Sequence, residues 1–516
     1  MKKIFDIGIK KQLLCDDYIV DTEKTTAQFV LQKPIKREDV LHFDSPWEGD
    51  STGYFSIVND DSCYRLYYVT RGAMWKPVGN EKCQVVPCRV CYAQSEDGIV
   101  WEKPNLGICE FDGSNENNII LDENIDWVDN FFVFKDSNSA VPPQEKYKAL
   151  AASYMGAETV NDVKLWCYTS GDGIHFKKSF VVCENGTFDS LNTVVYNKSK
   201  GKYFCYFRDM HMATGEDLND LCKEDYDEAI DKGTYIRDVR VMTSDDFRNW
   251  SDIERITYSS DIDYEMYTNG IFKYEDNDDL FVGLATRYTE RKKRGESAKS
   301  IKWTQCYDEL PSPELRRHIC FPRPDEDWHK RSGLALTDCV FMCSRDGYHF
   351  TRYDEAFLTP GPEKENMWFY GNCYPAIGFI ETPSNDIGCA NELSFFSGDY
   401  QRTKRTVLYR YTIRKDGMVA LKAGAIPEKI VTKPFVFKGD ELFLNFATSC
   451  FGGVFVKILD ENGEVIEGYE SCEHYGNSVK RRVTFNKPLK EINGRVIVLS
   501  FELKDAELYS FKFEED

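Results

Sequence analysis

The sequence predicts an all-β protein, a five-bladed β-propeller followed by a small C-terminal β-sandwich. Three observations lead there. The first is a turn that recurs: "SEDGIVWEKP" from Ser95, "SGDGIHFKKS" from Ser170, "SDDFRNWSD" from Ser244, "SRDGYHFTRY" from Ser344 and "RKDGMVALKA" from Arg414. Its aspartates, Asp97, Asp172, Asp246, Asp346 and Asp416, lie 75, 74, 100 and 70 residues apart. A period near 75 with one enlarged unit is the signature of an array of supersecondary units. The second observation is that each unit reads as four short strands. The third is the aromatic content, 34 Phe, 30 Tyr and 9 Trp in 516 residues, which favours strands and suits surfaces that hold sugars.

In the second unit the strands are expected at 128–136, 145–154, 163–170 and 175–180, each rich in aromatic and β-branched residues and bounded by Gly, Asp, Asn or Pro. The first unit repeats the order with "GYFSIVND", "CYRLYYVT", "VCYAQS" and "VWEKP". Four strands repeated five times give five blades around an axis, with only short edges exposed. The Asp-Gly turn then joins the third and fourth strands on the outer side of each blade. There the Asp hydrogen-bonds its own backbone and the Gly takes positive φ, so the turn is expected to be scaffold.

The enlarged unit carries an insertion at about 287–335, beginning "RYTERKKRGESAKSIK". It is expected as a solvated loop, with a lid over the axis or an oligomer contact as the alternative. A second insertion, 213–233, is acidic, with helical character around "LCKEDYDEAI". Residues 1–40 are expected to pack on a propeller spanning 1–430. From about Thr432 alternating strands are joined by Asn-Gly and Gly-Asp turns, and 431–516 read as a β-sandwich covering the propeller's flank.

A net charge of −21 repels phosphates, which argues against nucleic acid and anionic membranes and leaves a neutral carbohydrate open. No apolar run approaches the ~20 residues of a membrane span. The N-terminal "MKKIFDIGIKKQLLCDDYIV" is interrupted by Asp6, Lys10 and Lys11 and does not read as a signal peptide. The 18 cysteines are scattered, often inside strand-like segments (Cys91, Cys167, Cys205), as expected of reduced thiols in a cytoplasmic protein. Cys88 and Cys91 have zinc-like spacing, but a strand alternates its faces and no second ligand pair with His follows, so no metal is expected there.

In a propeller the innermost strand of each blade lies along the axis, and the residues opening it face a shared pocket. Here the openings are "WEGDSTGYFSIV", "DWVDNFFVF", "GTFDSLNTVVY", "DYEMYTNGIFKY" and "WFYGNCYPAIGF". Four bring a carboxylate: Asp50 (with Glu48), Asp129, Asp189 and Glu265. Converging carboxylates repel one another and raise at least one pKa, the arrangement acid/base work on a glycosidic bond requires. Trp47, Trp127, Trp368, Phe369 and Tyr370 are candidates to stack on sugar faces. Asn130, Asn192, Asn269 and Asn372 are candidates for hydroxyls, with Tyr267 beside Glu265. Arg71 and Arg208, closing "YYVTR" and "YFR", are candidates to pin a carboxylate or a substrate oxygen. Taken singly, each Asp or Asn here reads as an ordinary turn former; their recurrence at equivalent positions is what singles them out.

With these residues in view, 40–425 resembles the five-bladed propeller glycoside hydrolases that include the invertase/fructanase and arabinanase/xylosidase families, and the trailing sandwich resembles that of invertase-like members. The resemblance implies three acids: Asp50 as nucleophile or base, Asp189 as transition-state stabiliser and Glu265 as acid. The local motifs depart from the family pattern. The Asn before the first Asp and the Pro-Asn-Gly after it are missing, Phe188 stands where an Arg is expected, and Met266-Tyr267 replaces Cys-Pro. Asp129 has no counterpart and is either a hydroxyl ligand or the third acid in place of Asp189. The turn also resembles the sialidase Asp-box but lacks the residue between Asp and Gly.

The expectation is therefore a glycoside hydrolase acting on an oligosaccharide. The alternatives are a non-catalytic carbohydrate-binding propeller, a glycoside phosphorylase of similar fold with a cationic phosphate site, and a protein-interaction propeller. No cofactor is implied. An axial Ca²⁺ remains an alternative from the supply of carboxylates and carbonyls.

Overall fold

The computed structural model describes residues 4–515 apart from 50, 73–76, 79–81, 84–85, 156–162, 223–224, 226–227, 230–233, 275–276, 278, 292–334, 364–366, 369–370 and 402–405; at 71, 72, 77, 78, 82, 83, 86, 87 and 219 it describes the backbone. Five antiparallel blades are ordered from the axis outward. Blade one runs Gly53–Asn59, Tyr64–Gly72, Val86–Ser95, Ile119–Leu121, and blade two Phe132–Lys135, Tyr147–Ser153, Lys164–Ser170, Lys177–Cys183. Blade three runs Thr193–Asn197, Lys202–Met212, Tyr235–Ser244, Glu254–Arg255. Blade four has an inner strand broken into Met266–Thr268 and Ile271–Lys273, then Phe281–Glu290, Ala335–Ser344 and His349–Leu358, with Thr257–Tyr258 added parallel outside. Blade five is Ile380–Thr382, Glu392–Asp399, Val407–Ile413 and Ile35–His42.

Each blade is covered on both faces by its neighbours, so its middle strands are buried on both faces instead of alternating. Tyr147–Ser153 (YKALAAS) is buried at every position. Between blades one and two, Tyr67, Val90, Phe131, Val133, Ala149 and Tyr168 share one core. Four of the recurring turns are built alike. Ser95 Oγ accepts from Gly98 N at 2.8 Å, and Asp97 Oδ1 accepts from Ile99 N and Val100 N, each at 2.8 Å. Asp172, Asp246 and Asp346 repeat the bonds. In the third turn Phe247 takes the glycine's place at φ 63.

The fifth turn differs. Asp416 is 2% exposed and accepts from Tyr274 Oη at 2.6 Å and Ser510 Oγ at 2.7 Å, with Lys11 Nζ at 3.2 Å. The strand after it, Val419–Ala423, leaves the propeller and joins the C-terminal sheets, as does Glu428–Val431. In blade one, "VWEKP" makes only the bridge Glu102–Gln94, and Ile119–Leu121 is the outer strand. The N-terminal segment is woven into both parts. Phe5–Gly8, Gln12–Leu13 and Gln28–Leu31 pair within the C-terminal unit, while Ile35–His42 closes blade five.

The C-terminal unit is dominated by two 19-residue strands, Glu441–Leu459 and Val496–Glu514, paired antiparallel. With their partners they enclose Phe435, Phe437, Leu444, Val456, Phe501 and Phe511 as one core, the arrangement of a β-sandwich. Of the acidic insertion, Leu218–Asp220 is a short 3-10 turn whose Leu218 packs with Met210 and Ala229. The basic insertion lies mostly outside the described residues.

Candidate active site at the propeller axis

The opening of blade four is set by a glycine. Gly270, between the two inner segments, has φ 56, and a Cβ there would lie 2.1 Å from Leu284 O, so only glycine lets the strand break and re-pair. Above the break, Tyr267 is the centre of the site. Its ring lies 4.9 Å from the Arg208 guanidinium and 5.6 Å from that of Arg237, stacks on Tyr288 at 5.8 Å, and meets Tyr374 edge-on at 5.7 Å.

Each arginine carries one carboxylate. Arg208 pairs with Asp189, and Arg237 with Glu265. Both guanidiniums are buried, while Asp189 is about half exposed (47% of its side chain) and Glu265 partly so. Tyr54, in left-handed backbone at φ 53, donates its hydroxyl to Asp189 O at 3.2 Å. Arg237 also reaches Tyr235 Oη at 3.4 Å and lies over the rings of Tyr235 and Tyr288. Nε and Nη1 of Arg208 have no hydrogen-bond partner among the described residues. The site is thus two guanidinium–carboxylate pairs on a tyrosine platform, which suits a polar ligand with flat apolar faces.

Other expected residues stand elsewhere. Trp47 turns its indole outward, donating to Asn118 Oδ1 at 2.8 Å and packing on Phe111 against blade one's outer strand, so it does not reach the axis. Asn130, Asn192 and Asn269 are buried and hold backbone instead of meeting solvent. Asn130 donates to Phe188 O at 2.7 Å and accepts from Ala152 N at 3.1 Å. Asn192 donates to Phe188 O at 3.2 Å. Asn269 donates to Leu191 O at 3.0 Å and accepts from Thr193 Oγ1 at 2.8 Å and Ile271 N at 3.0 Å. These three tie neighbouring blades together, a scaffold role that displaces the expected hydroxyl contacts.

Trp127 is half exposed on the rim, tilted over Tyr154 at 5.7 Å, and Asp129 beside it accepts from Tyr154 Oη at 3.4 Å. Trp368 has φ 57 and donates its indole N–H to Gly361 O at 2.9 Å. Asp50, Phe369, Tyr370 and the side chain of Arg71 lie outside the described residues.

Glu48 and Asp126 open blades one and two but are buried in them. Glu48 accepts from Tyr68 Oη and Lys103 Nζ, both at 2.7 Å. Asp126 accepts from Tyr168 Oη at 2.5 Å and Ser153 Oγ at 2.7 Å, with Lys178 Nζ at 2.8 Å. Sequence reasoning missed Arg237, because it looked only at strand openings and the ends of second strands. The signal was present: Arg237, Asp238 and Arg240 punctuate an otherwise apolar third strand. Asp209, next to Arg208 but paired across the sheet with Asp238, is lifted to about 6, by burial first, with Arg240 opposing and Asp238 reinforcing it.

Among the described residues the group that brings metal-ligand atoms together is Cys15, Asp16 and Cys343, within 4.8 Å of one another and buried. Asp16 is already held by Arg345 Nε at 2.8 Å, and Cys343 Sγ donates to Cys15 O at 3.4 Å, which fits a packed junction better than a metal centre. Asp189 and Glu265 give their charge to arginines, so neither stands as a free ligand for an axial Ca²⁺. A cavity of about 580 Å³ lies at the other end of the axis, lined by Val58, Phe134, Tyr196, Tyr274 and Phe379 where the inner strands finish.

No family model matches the chain, and no curated protein matches it. Solved structures that match include an N-acetylgalactosamine deacetylase from F. plautii in complex with blood group B trisaccharide (12% identity, 74% of this chain and 96% of that one, TM-score 0.43). Two others are a glycosyl hydrolase from Bacteroides ovatus (12%, 80% and 96%, 0.37) and a Bombyx mori GH32 β-fructofuranosidase (9%, 94% and 95%, 0.39). At this distance likeness assigns no chemistry, which has to come from this chain's own residues.

Proposed function

We propose that the protein is a glycoside hydrolase acting on an oligosaccharide at the axial site. The observation that carries this reading is the pair of carboxylates, Asp189 and Glu265, held by Arg208 and Arg237 around the Tyr267 platform. Two carboxyl groups beside aromatic faces are what glycosidic cleavage needs, one to handle the leaving oxygen and one to stay ionised beside the oxocarbenium-like centre. Asp189 takes the stabilising role, Glu265 the proton-donor role, and Asp50, as the family resemblance implies, the nucleophile or base.

An ion pair is made by the charged forms of both partners, so Glu265 donates a proton only after Arg237 has moved off it. The rings of Tyr235, Tyr267 and Tyr288 already flank that guanidinium at 5.2, 5.6 and 5.1 Å. Trp127 and Asp129 extend the site along the rim as further sugar contacts.

A second reading, phosphorolysis, is favoured by one observation: the unpartnered Nε and Nη1 of buried Arg208 are donors of the kind a phosphate takes. The test is a screen of aryl glycosides and oligosaccharides with and without inorganic phosphate. Turnover in its absence supports hydrolysis; turnover that requires phosphate and yields a sugar phosphate replaces it with phosphorolysis. Ligand binding without turnover in either condition sinks both in favour of a carbohydrate-binding propeller. A reducing, cytoplasmic setting belongs to the proposal, supported by the unpaired state of all 15 described cysteines. No helix among the described residues is long and apolar enough to cross a membrane.

A further inference from the structure

Beside the axial site, His211 stands in an unusual position. It is buried, at the end of blade three's second strand, with Nδ1 2.7 Å from Asp238 Oδ2 and Nε2 2.9 Å from Asp263 Oδ2. A neutral imidazole has one N–H and one lone pair, so only the imidazolium satisfies carboxylates on both nitrogens. The two partners are unequal. Asp238 is fixed within blade three by Arg240, Nε to Oδ1 at 2.7 Å and Nη2 to Oδ2 at 2.9 Å. Asp263 is more than half exposed and belongs to the segment entering blade four, two residues before Glu265.

We propose that His211 is a positioning residue for Glu265: as an imidazolium it latches the 260–265 segment to blade three, and on losing its proton it lets that segment go. The effect on turnover rests on the reading of Glu265 as a reacting group; the latch itself does not. The segment's other anchors include, on blade four, Arg352 Nη2 to Ile262 O at 2.5 Å, Ser260 Oγ to Asp354 Oδ2, Tyr264 Oη to Asp354 Oδ1 at 2.8 Å, Arg287 and Arg352 over the Tyr264 ring, and Tyr288 N to Glu265 O at 3.0 Å, and, from blade three, Arg237 on Glu265 itself. His211 is thus a second tie between the segment and blade three, beside the reacting carboxylate's own partner.

The charged groups around the imidazole are Asp238, Asp263, Arg240, Asp217, Arg255 and Asp209. Asp217 holds Arg240 at 2.7 Å, Arg255 stands 4.0 Å from Asp238, and Asp209 pairs across the strand with Asp238. Burial pulls the imidazole's pKa down, but the hydrogen bonds and charges of Asp238 and Asp263 win and lift it above its usual value. The latch is therefore complete below about pH 6.5 and is lost as pH rises through the raised value.

The test is an NMR pH titration of the full chain, whose seven histidines form a resolvable set, combined with hydrogen exchange of residues 260–266 over the same range. Neither needs a substrate. His211, identified by its loss in H211Q or its shift in D263N, should titrate above the usual histidine value. After correction for intrinsic base catalysis, exchange at 260–266 should rise by roughly tenfold across that titration in the wild type and be fast and flat in D263N. D263N removes an exposed partner and leaves the buried His211–Asp238 pair in place, so it serves as the second variant should H211Q disturb the packing; D209N should leave the titration in place. A His211 that titrates at or below the usual value, or exchange at 260–266 that ignores its titration, overturns the latch. With a cleaved glycoside in hand, D263N should lower kcat several-fold at unchanged KM and shift the alkaline limb. An unchanged kcat profile overturns the positioning role, whereas absence of any turnover refutes the axial reading and leaves titration and exchange to judge the latch.

Discussion

Asp416 is where the propeller and the C-terminal unit are joined, and removing its carboxylate tests that reading. Its two oxygens serve Tyr274 of blade four, Ser510 of the long C-terminal strand and Lys11 of the N-terminal segment, at 2.6, 2.7 and 3.2 Å. Asn445 Nδ2 adds a fourth contact at 3.3 Å. Hydrogen bonds to a charged group contribute about 1.5–3 kcal/mol each, and breaking a buried pair by deleting one partner costs about 3–5 kcal/mol because the other charge is stranded. The contacts share one carboxylate and are not additive, so D416A should lose about 4 kcal/mol. D416N keeps the size and tolerates φ 60, and should lose about half as much. The assay is urea unfolding followed by two probes. All nine tryptophans precede residue 369, so their fluorescence follows the propeller, while far-UV circular dichroism follows both parts. D416A should bring the dichroism transition forward of the fluorescence transition. A loss below about 1 kcal/mol with the two transitions still coincident would refute the junction.

Three further outcomes are expected. E265Q and D189N should each reduce turnover of a confirmed glycoside by at least about a hundredfold while ligand binding by calorimetry persists; near-normal turnover in E265Q removes Glu265 from the chemistry. Burial alone would raise Asp60, but Tyr147, Lys135 and Arg65 hold it down to about 2. Its contribution is whole above the unfolded carboxylate value near 4 and disappears as pH falls from there toward 2. D60N should flatten the acid dependence of the urea midpoint by about 2 kcal/mol, and an unchanged acid limb contradicts this. G270A, forced against Leu284 O at positive φ, should destabilise by about 1–3 kcal/mol, read as a lowered Tm.

The four regular turns were legible in the sequence because their chemistry is local: one aspartate bonds amides two and three residues onward, and the run of letters contains the whole structure. The fifth keeps the Asp-Gly pair but has Arg414 where the other four have the serine, and the partners of Asp416 are 405, 142 and 94 residues away. The absent serine marks "RKDGMVALKA" as a different turn, but nothing in its letters names the distant partners that make it a buried junction. The asparagines teach the same lesson. Their recurrence at strand openings was visible, but whether an amide meets a sugar or a backbone depends on the neighbouring blade, as Asn130 does on Phe188 O, 58 residues away. Glu265 and Asp189 stood out in the sequence because carboxylates opening inner strands follow from blade counting. Their arginines were half found, Arg208 by its place after a second strand, while Arg237 needed the register that sets it opposite Met210.

Counting acids at strand openings also concealed a division of labour. The openings of blades one, two and four each carry a doublet, Glu48 and Asp50, Asp126 and Asp129, Asp263 and Glu265. In each the first acid has its own anchor. Glu48 is buried with Tyr68 and Lys103 of its blade, and Asp126 with Tyr168 and Lys178 of its blade. Both of those anchors are lysine ammonium groups. Asp263 is held instead by His211 of the preceding blade. Of these three anchors, the one beside Glu265 therefore depends on a group that changes charge near neutrality, and it reaches across the blade interface where Arg208 and Arg237 converge. The recurring acids are one device used three times: the first acid of each doublet fixes the approach to the axis, and the exchange of lysine for histidine makes one approach answer to protons.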